Sequence, residues 1–163
     1  MTSVLDQVRS GQLQGPARRT ALVVGGFGVW TVLVWLGRVR NVITSDELSG
    51  GGRAFRLILA LVFVAAGAAV LVRLWHALAQ RSGGPGGVRR SRGASVRPVL
   101  QAVALTAVLT IVVWLVQGSR ILFGDHGGGF KLVHTVLAIG SIALAVLAWR
   151  AVAPRSPSVP ARR

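Results

Sequence analysis

Four apolar runs, 20–36, 57–75, 99–116 and 132–149, dominate this chain, and the only formally charged residue inside them is Arg73. As α-helices, runs of this length reach about 25–28 Å, and one further turn brings each to the hydrocarbon thickness of about 30 Å. In lipid the backbone must satisfy its own hydrogen bonds, so a helix is the form such a run takes. The fold expected is all-α: an integral membrane four-helix bundle built from two tandem helical hairpins.

Composition sharpens this. A mean hydropathy of +0.62 coexists with a formal net charge of +15 in 163 residues. Both hold only because the arginines cluster between the runs. A strongly basic chain suggests nucleic acid, but with spanning helices the expected partner of that charge is anionic lipid headgroups, and no nucleic acid is expected. There is no cysteine, which excludes disulfide scaffolds, thiolate metal sites and thiol redox chemistry.

Five segments follow. Residues 1–19 form a polar cytoplasmic N-terminal segment. Val4, Leu5 and Val8 share one helical face there, compatible with a short helix on the headgroups or with a frayed tail. The apolar run that follows lacks a signal-peptide cleavage pattern and is read as retained. Residues 20–77 form the first transmembrane hairpin, 78–98 a basic Gly/Arg-rich cytoplasmic loop, 99–152 the second hairpin, and 153–163 a disordered basic tail. Ser49-Gly50-Gly51-Gly52 reads as a turn in the first hairpin's loop. Pro98 reads as a first-turn residue of the third helix.

Charge sets orientation. Thirteen arginines, Arg73 among them, lie on the side of both termini and the central loop, with Asp6 the sole acid there. The other side has six basic residues and three acids, Asp46, Glu47 and Asp125. Both termini are therefore expected in the cytoplasm, across a plasma membrane. The central loop supplies Arg89, Arg90, Arg92 and Arg97, whose guanidinium forks suit lipid phosphate or an acidic partner. Arg73, near the end of its helix, is expected to snorkel. Trp30, Trp35 and Trp114 are placed toward the outer interface, Trp75 and Trp149 toward the inner one.

Small residues mark where helices meet. Gly25, Gly26 and Gly28, the 65–69 patch around Gly67, the Ala102-Thr106-Thr110 stripe and the Ser141/Ala145 pair all suit close helix contact.

The halves also align with each other. A shift of 79 places Thr31 on Thr110, Trp35 on Trp114 and Asp46 on Asp125; after the shorter second loop, a shift of 75 places Phe55-Arg56-Leu57 on Phe130-Lys131-Leu132. Two hairpins inserted in the same sense would be related by a pseudo-twofold axis along the membrane normal. On these residues the unit resembles a group of small actinobacterial two-helix membrane proteins of unknown function. Their pattern is a tryptophan-rich helix end, a basic-Asn pair, an acid, then Phe-x-x-x-His. Trp35, Arg40-Asn41 and Asp46 match in the first copy, and Trp114, Asp125, Phe130 and His134 in the second. Leu59 stands where the first copy would have its histidine, and Arg120 is followed by Ile121 in the second. The resemblance implies the architecture and brings no activity.

Chemical candidates are few. Asp125, His126 and His134 could meet at the outer face as a polar or O/N metal site; the plain alternative is an interfacial histidine bonded to a carbonyl. His76 and His134 fall in opposite leaflets, against paired haem ligation. Ser119, His126 and Asp125 lack the surroundings of a hydrolase nucleophile. The 49–53 and 83–87 glycine stretches lack a phosphate-loop ending. The spans contain no acid, as a proton- or ion-coupled carrier would need. The function expected is a non-enzymatic accessory, scaffold or interaction component, binding no cofactor and engaging lipid, a protein partner or a second copy. The alternatives are a small transporter or channel acting as an oligomer, and a haem- or metal-binding membrane subunit.

Overall fold

The structure, a computed structural model, describes residues 15–44, 50–82 and 88–153, with backbone alone for 16, 80–82 and 88–96. The described residues form four α-helices and no strand: α1 (Gly15–Ile43), α2 (Gly50–Ser82), α3 (Val88–Phe123) and α4 (Gly128–Val152). Each contains a segment long and apolar enough to cross a membrane. The chain is thus an all-α bundle of four candidate membrane spans.

The helices form a ring in which α1 packs on α2 and α4, and α3 packs on α2 and α4; the most extensive contact is α1 with α2. Gly28 lies against Leu71 and Gly67 while Trp35, further along α1, meets Phe63, earlier in α2, so these two helices run antiparallel. We call the end holding the α1–α2 and α3–α4 links distal, and the opposite end proximal.

The glycines explain the closest approach. A Cβ on Gly67 would lie 3.1 Å from the Gly28 carbonyl oxygen and 3.2 Å from Thr31 Cβ. With no such atom present, two backbones meet face to face, which is how helices gain packing energy where lipid supplies no hydrophobic drive between them. Proximally, Val24, Phe27, Val70, Val103, Ala145 and Ala148 join in a core to which all four helices contribute. Distally, Trp35, Ala60 and Phe63 form a second core with residues of α1, α2 and α3, and α4 contributes nothing to it. Outside these cores the helices are apolar nearly all round: Leu33, Ile58, Leu105, Leu132 and Ile139 are each over 60% exposed. A surface of that kind is tolerated in lipid and not in water.

Several boundaries differ from the sequence expectation. The first run extends to Ile43, and Gly50, Gly51 and Gly52 sit in the first turn of α2 instead of forming a turn. First-turn N–H groups have no intrahelical partner, so glycine weakens a helix less there than at its centre. The expected 78–98 loop is shorter, because the backbone is helical to Ser82 and again from Val88; Pro98 lies inside α3, where it removes one backbone hydrogen bond. The link between α3 and α4 is 124–127 only. Trp30 sits at mid-bundle, not at the interface, because its indole Nε1–H donates to Ser141 Oγ on α4 at 2.9 Å. The surface-helix or frayed-tail reading of the N-terminal segment up to 14 and the disordered-tail reading of 154–163 lie outside the described residues. So do Asp46 and Glu47, the 83–87 glycines and the side chains of Arg89, Arg90 and Arg92. Arg73 and Arg97 are exposed.

Candidate functional site

At the distal end α4 leans away. Its buried residues, Ser141, Ala145 and Ala148, all lie in its proximal half. The Trp30–Ser141 hydrogen bond marks where α1 and α4 still touch; beyond it a groove opens between them, floored by α3. This groove is a cavity of about 270 Å³, walled by Leu33, Trp35, Val113, Trp114 and Leu137 among others. Leu33 is 62% exposed on the bundle's outer surface, so the cavity opens sideways there.

Toward the helix ends it merges with a wider mouth of about 670 Å³, to which all four helices contribute and which shares Arg38, Asn41, Gln117, Ile121 and His134 with the cavity. Arg56 from α2 and Arg120 from α3 complete a set of three arginines around it, and Arg38 is near enough to Arg56 for their charges to repel. The single acid among the described residues, Asp125, is exposed and does not line the mouth. Three guanidinium groups around one concavity therefore leave the described wall uniformly positive.

Within the cavity wall is an unsatisfied donor. Trp114 is 8% exposed, and its indole Nε1–H has no hydrogen-bond partner. A buried donor left unpaired costs about 1–3 kcal/mol. Thr110, one turn earlier, also has an unpaired hydroxyl, whereas Thr31 on α1 donates to the Phe27 carbonyl at 2.8 Å.

The histidines are placed by the short α3–α4 link. At Gly124 a Cβ would fall 2.7 Å from the Arg120 carbonyl oxygen, so this bend requires glycine. The link brings His126 to one face of Phe130, at 4.9 Å between ring centroids, with His134 on Phe130 at 3.9 Å. His134 Nδ1 lies 2.9 Å from the Phe130 carbonyl oxygen. A carbonyl only accepts, so Nδ1 is the donor in this bond. His76, near the proximal end, makes the same bond to the Val72 carbonyl at 2.8 Å.

Of the residues singled out from sequence, His126 and His134 are brought together around Phe130 and line the mouth. Asp125 does not join them, and no group of three potential metal ligands exists among the described residues. Ser119 Oγ donates to the Val116 carbonyl at 2.9 Å, an ordinary helix back-bond. Arg38, Arg56 and Arg120 are three of the six basic residues that the sequence places on the outer side. Their convergence comes from three different helices, and no local motif signals it. Comparison with protein-family models, with curated proteins and with solved structures finds no significant match for this chain.

Proposed function

We propose that the chain is a plasma-membrane protein of four spans with both termini in the cytoplasm, serving as a non-enzymatic accessory, scaffold or interaction component. The observation that carries this is the apolar girdle: large aliphatic side chains on every helix face outward, while Trp30, Ser141 and Thr31 at mid-depth are spent on helix contacts and backbone bonds and Thr110 is buried. The arginine asymmetry of the sequence supports the orientation. The aligned positions of the two halves support descent from one duplicated hairpin, of the kind the actinobacterial two-helix proteins represent. On this reading Arg89, Arg90, Arg92 and Arg97 face anionic lipid or an acidic partner at the cytoplasmic surface.

A transporter formed by a single copy is disfavoured by the proximal core, where Val24, Phe27, Val70 and Val103 are sealed from solvent. The deciding experiment is purification from native membranes in mild detergent, followed by reconstitution. A stoichiometric membrane partner, no substrate flux and no visible chromophore fit the accessory role; flux through vesicles holding this chain alone would replace it with transport. Arg89→Glu, Arg90→Glu and Arg92→Glu together should scramble reporter-fusion topology, and an unchanged pattern would contradict the charge argument.

A further inference from the structure

We propose that the distal groove is a binding site for an anionic membrane lipid, its phosphate headgroup held among Arg38, Arg56 and Arg120 and one acyl chain lodged against Trp114 and Leu137. Two independent features meet there. The mouth is lined by three arginines with no acid on its described wall, and guanidinium forks match phosphate oxygens bidentately. Directly below it the wall turns apolar and opens sideways at exposed Leu33, where a tail can enter from the bilayer without crossing water. Trp114 is part of that apolar wall, its ring available to an acyl chain.

A basic mouth above an apolar cavity follows the order of a phospholipid, charged head and then hydrocarbon, and this distinguishes a lipid from a free anion. A soluble phosphate would use the mouth and leave the cavity empty. The gap itself follows from the packing: α4 joins the proximal core and is missing from the distal one. The inference rests on the bundle lying in lipid, and is independent of orientation and of the accessory role.

The test is a titration of the full chain, purified in neutral detergent, with lysophosphatidic acid carrying a brominated acyl chain, read by quenching of tryptophan fluorescence. Lysophosphatidylcholine with the same chain and inorganic phosphate are the comparison probes. The expected result is saturable quenching by the phosphatidic form at about tenfold lower concentration than by the choline form, undiminished by inorganic phosphate at equal concentration. Arg38→Gln with Arg120→Gln should erase that preference. Leu137→Phe, which fills the cavity and leaves the charge alone, should weaken binding about tenfold, with helical content by circular dichroism unchanged in each variant. Equal affinity for the two lipids would mean mere adsorption to the apolar girdle and overturn the proposal. So would displacement by inorganic phosphate, which would mark a free-anion site, or a Leu137→Phe protein that binds as well as the parent.

Discussion

Trp35 and Trp114 occupy aligned positions in the two halves and both wall the distal cavity, but they differ in what they pack against. Trp35 stacks on Phe63 with ring centroids 4.1 Å apart and planes 9° from parallel, filling the distal end of the α1–α2 side. The position aligned with Phe63 in α4 is Ala138, and Trp114 lines a cavity with an unpaired N–H. The glycine contact differs likewise: Gly28 and Gly67, which let α1 and α2 close on each other, align with Ala107 and Ile142. The α1–α2 contact is filled at its distal end, whereas α4 leaves a groove against α1 and α3. A stacked ring and a pair of close-approach glycines accompany the closed contact, and alanine and isoleucine stand at the corresponding positions beside the open one.

The comparison can be broken at several points. Phe63→Ala should carry the largest effect, a loss of about 3 kcal/mol in reversible unfolding in detergent, because it opens a void in a filled site. Gly67→Val should lose about 2 kcal/mol by overpacking against the Gly28 carbonyl, whereas Ile142 already places a larger side chain at the aligned position. Thr110→Val, an isosteric removal of an unpaired buried hydroxyl, should gain about 1 kcal/mol. Thr31→Val, which breaks a bond already made, should show no such gain; equal effects at the two threonines would dissolve the contrast. Smallest is the coupling between Trp30→Phe and Ser141→Ala, about 0.6 kcal/mol in a double-mutant cycle, the typical worth of one interhelical hydrogen bond in a membrane protein.

Much of the fold was legible in the sequence, because membrane helices announce themselves by length and by exclusion of charge. Of Ala102, Thr106, Thr110, Ser141 and Ala145, which spacing alone marks as contact positions, the last four are buried and Ala102 is half-buried. Helix ends were less legible, because glycine at 50–52 and Pro98 signal breaks in water, and tertiary packing and first-turn placement override them. The depth of Trp30 was misjudged, since its partner Ser141 lies 111 residues away. The basic mouth was invisible for the same reason: Arg38, Arg56 and Arg120 look like flanking charge until three helices bring them round one hollow. The cavity was hidden still more deeply, since nothing local distinguishes Ala138 from any other alanine in a span.

The chain's lack of cysteine permits a direct examination of the four-span arrangement. Single cysteines placed by Ser3→Cys, Gly127→Cys and Ser156→Cys can be challenged in intact cells with a membrane-impermeant maleimide. Labelling at Gly127→Cys without permeabilisation, and at Ser3→Cys and Ser156→Cys only after it, is the result expected of a bundle whose distal mouth faces outward. Labelling of Ser156→Cys in intact cells, or protection of Gly127→Cys, would contradict it.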